Sequence, residues 1–203
     1  QNDTYFVFQG IDFNHPHISF YNHSSQTFAD PQKIGNNDLT DGDSHGAPSM
    51  IINESSGRIC VFYGSHKSDQ EYSCNTGDFD IQSSDWTEFT DFPGTSITYP
   101  HLRWYNGEVY TFVRRGNNGD WNFASNPKPG VDSWSSFTQF ISSDDHDTYL
   151  QSTLEILEPN SVVGCPHFPF STSREGADVY AGYLCMNGSQ HVYNFSGYDV
   201  GGT

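Results

Sequence analysis

An all-β chain, folded as a propeller-like array of about four four-stranded antiparallel blades, is the expectation from three features of this sequence. Helical periodicity is nearly absent: no long run of Ala, Leu, Glu, Lys and Arg occurs, and Gly, Pro, Asn, Asp and Ser interrupt the chain every few residues. Apolar residues come instead in short runs bounded by turn chemistry, as at Glu54-Ser55-Ser56-Gly57 and at Asn106-Gly107, a strong two-residue hairpin signal. These runs also repeat. Pro48 is followed by an apolar strand, a turn, a second apolar strand, a polar third strand and a fourth at Trp86, and the pattern returns from Pro100 with Trp121 and Trp134 in its third and fourth strands. Pro48 and Pro100 stand 52 residues apart and Tyr99 and Tyr149 stand 50 apart, the period of a propeller blade. A β-sandwich with coincidental spacing is disfavoured by the aromatic residues at matching points of successive units.

Taken in order, the expected blades lie near 4-40, 45-92, 98-141 and 147-203 of a single 1-203 domain. The first carries strands at Tyr5 to Phe8 and Ile18 to Asn22, and the second at Pro48 to Asn53, Arg58 to Tyr63, Glu71 to Asn75 and Trp86 to Phe89. Tyr99 to Tyr105, Glu108 to Arg114, Trp121 to Ser125 and Trp134 to Ile141 make the third. Tyr149 to Leu157, Ser161 to Pro166, Val179 to Leu184 and His191 to Phe195 make the fourth.

Composition narrows the classes of function. Of 203 residues only 34% are hydrophobic, but 16% are aromatic, enough apolar area to exclude a disordered chain. The formal charge of -17 argues against a groove that tracks phosphates, so nucleic acid is a poor partner. No run approaches the ~18 apolar residues of a membrane helix, and no basic-then-apolar leader opens the chain, so it reads as a soluble, processed protein with no membrane partner. Acceptor triplets for N-glycosylation at Asn2, Asn22, Asn53, Asn187 and Asn194 point to a secreted, extracellular route. The cysteines agree with that route. Cys60 and Cys74 flank a polar Ser65-His66-Lys67-Ser68-Asp69 turn, and Cys165 and Cys185 flank Ser173-Arg174-Glu175-Gly176, so two hairpins would each bring a pair face to face for a disulfide. No C-x-x-C spacing suggests zinc, and no metal or cofactor is expected.

The stretch Asp43-Ser44-His45-Gly46-Ala47-Pro48, then Gly57-Arg58-Ile59-Cys60-Val61-Phe62-Tyr63-Gly64-Ser65-His66, then Thr98-Tyr99-Pro100, then Val109-Tyr110-Thr111-Phe112-Val113-Arg114-Arg115 resembles the BNR-repeat propellers that include polysaccharide lyases acting on ulvan. The likeness covers about residues 41 to 141. Members of that family are seven-bladed, and at about 50 residues per blade this chain supplies about four, the content of a fragment or of a departure from the family. A degenerate Asp-box spans Ser125 to Trp134, with Asn126 and Pro127 where an acid is expected.

Eliminating a 4-linked uronate requires neutralisation of its carboxylate, a base for the C5 proton and an acid for the leaving O4. The resemblance implies His45 as general base or acid, Tyr99 as its counterpart, and His66 with Arg115 as the pair facing the carboxylate. His101, Lys67 and Arg114 are candidates for substrate contacts; alternation along a strand leaves the choice between Arg114 and Arg115 open. His15, His17, His23, His146, His167 and His191 carry only the ordinary role of solvated or packing polar groups. The expected function is a secreted lyase on a uronate-containing polysaccharide. The alternative is a non-catalytic glycan-binding or fibre-forming glycoprotein, self-assembling through open sheet edges. A sialidase-type hydrolase is weaker, because Arg58, Arg103, Arg114, Arg115 and Arg174 show no triad-like spacing. Treatment of the natural protein with an amidase that removes N-glycans should lower its mass in several steps, and an unchanged mass would count against the secretory reading.

Overall fold

The computed structural model describes residues 2–10, 15–37, 39, 43–82, 86–105, 107–116, 120–141, 147–150, 167–173, 180–186 and 190–193. Its strands are β1 (Asp3–Gln9), β2 (Pro16–Asn22), β3 (Thr27–Phe28), β4 (Gln32–Lys33), β5 (Ser49–Asn53), β6 (Arg58–Tyr63), β7 (His66–Ser68), β8 (Glu71–Cys74), β9 (Thr87–Phe89), β10 (Ile97–Tyr105), β11 (Glu108–Arg115), β12 (Asp120–Asn126), β13 (Thr138–Ile141), β14 (Asp147–Leu150), β15 (His167–Ser173), β16 (Tyr180–Met186) and β17 (Gln190–Tyr193), with a 3-10 turn at Ser44–Gly46. They form four sheets in chain order: β1-β2-β3 with β4 also on β2, β5-β6-β8-β9, β13-β12-β11-β10-β7, and β14-β15-β16-β17. The fold is all-β, a propeller-type array of small antiparallel sheets. Two compact units divide the chain, Gln1–Arg114 with Phe123–Phe137, and Arg115–Asn122 with Thr138–Thr203.

In the first unit the packing is organised by β6. Its residues Ile59, Val61 and Tyr63 belong to a buried cluster with Ile18, Ile34 and Ile81, against which Tyr5, Val7 and Phe20 of the first sheet pack. The intervening Cys60 and Phe62 belong to a second cluster with Tyr72, Phe92, Leu102, Val109 and Trp134. Successive strand residues point to opposite faces, so one sheet serves both cores, and Arg58-Ile59-Cys60-Val61-Phe62-Tyr63 reads as a continuous apolar run for that reason. Aromatic rings fill the second core: Phe62 stacks on Tyr72 at 4.6 Å, and Trp134 sets its edge toward Phe62 at 5.4 Å and Phe92 at 5.1 Å. Hydroxyls of the buried tyrosines are paired. Tyr72 donates to Asp91 at 2.8 Å, and burial together with that carboxylate pushes its phenol up to about 12. Tyr63 shares a 2.8 Å bond with Ser73 and donates to Glu88 at 3.1 Å.

Several expectations need correction. The segment Ser65 to Asp69 is not only a turn, because His66–Ser68 forms β7 and leaves its own hairpin to pair with β10 of the next sheet. Trp134 lies outside any strand; its strand begins at Thr138, while Trp134 packs into the core from the irregular segment after β12. Where the Asp-box acid is missing, Asn126 holds the turn by donating from its side-chain amide to the Asp132 carbonyl at 2.8 Å and accepting from Lys128 N–H at 2.7 Å. β3 and β4 are too short to leave a periodic signal. The expected strand over Ser161 to Pro166 lies outside the described residues, as do Asn187 and Asn194.

The second unit contains the sheet β14-β15-β16-β17, with Tyr149 opposite Ser171, Phe170 opposite Gly182 and Leu184 opposite Val192. His167 stands opposite Cys185; Cys165 lies outside the described residues. Two described glycosylation triplets sit at hairpin turns: the Asn22 and Asn53 side-chain oxygens accept the N–H groups of Ser24 and Ser55 at 3.0 and 3.1 Å. Among the described residues no helix is long and apolar enough to cross a membrane.

Cys60 and Cys74 stand opposite each other in the β6–β8 register and form a disulfide, closing a loop of about 15 residues whose constraint of the unfolded chain is worth about 3 kcal/mol. Replacing both by Ala should lower the free energy of unfolding by about that amount in a urea titration.

Candidate functional site

The site is assembled where the chain passes from the second sheet toward the third. Before β5, Asp43 caps the 3-10 turn that carries His45. Gln9 of β1 donates to the Asp43 carbonyl at 3.1 Å and tethers this segment to the first sheet. Gly46 is buried, and a Cβ there would press on the end of the Leu39 side chain, which would have to move. After β6 the chain turns at Gly64, whose φ of +79° suits glycine. Gln70 then locks the loop, donating to the Tyr63 carbonyl at 2.6 Å and the Glu71 carbonyl at 3.0 Å while accepting from the Ser65 hydroxyl at 2.8 Å. The loop is thereby held out far enough for β7 to join β10, with Thr98 opposite His66.

His45, His66 and Tyr99 meet as a result. The imidazoles of His45 and His66 stack with centroids 4.0 Å apart and planes 15° apart, and the His45 ring lies 5.6 Å from the Tyr99 ring. Asp43 joins the two histidines: Oδ1 pairs with His45 Nδ1 and Oδ2 with His66 Nδ1, each at 2.6 Å, and Oδ1 also accepts the His45 backbone N–H at 2.9 Å. Burial alone would raise the Asp43 carboxyl, but the His45 backbone N–H and the two ring partners outweigh it and hold the group at about 2. Side-chain exposures of 40% for His45 and 32% for His66, against 14% for Asp43, place the imidazoles at the surface and the carboxylate beneath them.

The junction of β7 with β10 is strained. Lys67 and Tyr99 both adopt left-handed backbone, with φ of 56° and 57°, which costs a non-glycine residue about 1–2 kcal/mol. Lys67 is exposed, and its N–H donates to Thr98 Oγ1 at 3.1 Å. Under Tyr99 the buried Arg114 sets its guanidinium 5.0 Å from the ring centroid. Arg115, the residue expected to face a substrate carboxylate, follows Arg114 on β11 and so takes the opposite side of the strand, and it is grouped with the second unit. His101, half-buried on β10, has its imidazole pushed down to about 4 by burial and by nearby Arg103, so it is neutral at pH 7.

Asp43 was the residue missed from sequence. Its signal was local, an acid two positions before His45 at the start of a tight turn, but its second partner, His66, is 23 residues away. Asp43, His45 and His66 each offer a donor atom within 4.8 Å of the others, a set of the kind divalent metals accept. The 2.6 Å contacts are lengths of charge-assisted hydrogen bonds, whereas two ligands of a tetrahedral zinc, at about 2.0–2.1 Å from the ion, stand about 3.3 Å apart. These side chains would have to spread by roughly 0.7 Å to admit an ion.

Comparisons with known proteins bear on the same stretch. A family model described as "BNR repeat-containing family member" matches residues 15–157. The chain is 28% identical over 159 residues to "Ulvan lyase" of Alteromonas sp. (strain LOR), a match that spans 68% of this chain and 32% of that protein. It is 27% identical over 140 residues to "Ulvan Lyase-PL25" of Pseudoalteromonas sp. (strain PLSV), spanning 58% and 28%. A crystal structure of polysaccharide lyase Uly1 superposes with a TM-score of 0.65 at 14% identity, over 97% of this chain and 53% of that one. The matched stretch thus spans about a third of the length of the curated relatives.

His101 carries a pH signature. An imidazole that is protonated near pH 6.5 when unfolded but only near 4 when folded binds fewer protons in the native state between those values, so stability falls as pH drops through that window. His101→Gln should flatten the dependence, removing up to about 3 kcal/mol of acid destabilisation in urea midpoints compared at pH 7 and pH 4.

Proposed function

Because the chain belongs to the BNR repeat-containing family, we propose that it is a secreted polysaccharide lyase that cleaves a uronate-containing polysaccharide by β-elimination. The observation that carries this reading is the meeting of His45, His66 and Tyr99, with Arg114 beneath the tyrosine ring. The names of the curated relatives, which are ulvan lyases, support the substrate class.

Each step has a candidate group. His45 or Tyr99 removes the C5 proton, and the electron pair left behind forms the C4–C5 double bond as the C4–O4 bond breaks. The other of the two donates its proton to the departing O4. His66 and a guanidinium face the uronate carboxylate, whose negative charge grows as C5 is deprotonated. Arg115 is the expected guanidinium, and Arg114 is the one seen over the Tyr99 ring. The chain's charge of -17 repels a polyanion at long range, so binding depends on this local group of imidazoles and arginine.

The test is the ultraviolet absorbance of the unsaturated uronate released from ulvan and other 4-linked polyuronates. Tyr99→Phe should reduce turnover by about 10²- to 10⁴-fold while keeping the ring. Loss on Arg114→Ala with Arg115→Ala near wild type assigns the guanidinium role to Arg114, and the reverse returns it to Arg115. Absence of absorbance across uronate substrates by the folded natural protein would instead favour a glycan-binding or fibre-forming role.

A further inference from the structure

We propose that Asp43 is the positioning residue of this site, holding both imidazoles with Nδ1 toward its carboxylate so that Nε2 of each ring faces the substrate. The inference rests on the lyase reading above and extends it to a residue that touches neither substrate nor reacting atoms.

The geometry carries it. One carboxylate engages two ring nitrogens from different elements, the 3-10 turn and β7, at equal 2.6 Å distances, and holds the rings in a stack 4.0 Å apart. An ionised carboxylate only accepts hydrogen bonds, so both Nδ1 atoms must carry the protons, and the lone pair or remaining proton of each ring sits on Nε2. The two Asp43 oxygens differ: Oδ1 already receives the His45 backbone N–H at 2.9 Å as well as the ring, whereas Oδ2 receives His66. The arrangement leaves Nε2 of His45 toward the place of proton transfer and Nε2 of His66 toward the expected uronate carboxylate. Gln9 holds the Asp43 backbone from the first sheet and Gln70 holds the loop leading to His66, so the carboxylate and its second partner are set by separate supports.

Asp43→Asn tests this with the turn preserved, because Asn caps a helical turn as well as Asp. The Asn side chain must turn its NH₂ toward one ring, and that ring then accepts at Nδ1 and carries its proton on Nε2. In the intact protein, ring nitrogen NMR should show the Nδ1–H form for the neutral His45 and His66 rings of the wild type, and an Nε2–H form for one of them in Asp43→Asn. With ulvan as substrate, kcat should fall by about 10²- to 10⁴-fold with KM changed little, at an unaltered circular dichroism spectrum. Wild-type kcat in Asp43→Asn, or Nε2–H rings in the wild-type protein, would overturn the proposal. So would one equivalent of zinc in the purified protein whose removal abolishes activity and whose return restores it, since the three side chains would then be ligands. The NMR arm needs no turnover, so an inactive wild type with Nδ1–H rings would sink the lyase reading while leaving the geometry of Asp43 intact.

Discussion

Burial of β6 on both faces is the constraint on which the rest of the first unit depends. Ile59, Val61 and Tyr63 seal the contact with the first sheet, and Cys60 and Phe62 seal the contact with the third. A strand without a wet face can shift register only by exchanging two sets of apolar side chains at once, each worth roughly 1.5–3 kcal/mol per residue, so its register is firmly set. The Cys60–Cys74 bridge and the Tyr63–Ser73 bond add cross-strand ties to β8 in the same register.

The position of the candidate site follows from that register. His66 is three residues beyond the end of β6, and the segment between is held by Gln70. Because β7 pairs with β10 rather than with its own hairpin, the polar loop becomes a bridge between sheets and carries an imidazole to the start of the neighbouring sheet. Left-handed backbone at Lys67 and Tyr99 shows that the junction is held in place against local preference by surrounding contacts, which is common where side chains must meet in a fixed arrangement. The groups so gathered are two imidazoles, a phenol, a buried guanidinium and a carboxylate held ionised, in a chain that is otherwise strongly acidic. The Arg114 guanidinium and the Asp43 carboxylate offset each other within this group, so the site is locally less acidic than the chain as a whole.

Membership of the BNR repeat-containing family fits the repeating four-strand sheets, and the family match over residues 15–157 includes the candidate site. The part matched to the ulvan lyases amounts to about a third of those relatives. Each of the site side chains discussed, from Asp43 to Arg114, belongs to the first compact unit, which makes the cluster a property of locally packed sheets.

The amino-acid order alone determined the fold class, because the period of apolar runs and the glycine-bearing turns that end them are short-range signals, each satisfied within about ten residues. It also determined the Cys60–Cys74 pairing, since two cysteines placed evenly about one turn become cross-strand neighbours once the hairpin forms. His45, His66 and Tyr99 were legible by resemblance to a family pattern, though nothing in their spacing by itself required them to meet. Tertiary structure decided the rest. That Ser65 to Asp69 would send a strand to the next sheet depends on the edge of β10 being available, and that availability is fixed by residues 30 positions away. Which arginine lies under Tyr99 depends on the phase of β11 against a left-handed kink in β10, and a single residue of offset moves a side chain to the other face. Asp43 stands in the recognisable motif, but its role was not legible there, because a carboxylate's role is set by the partners that reach it and one of those, His66, comes from 23 residues away.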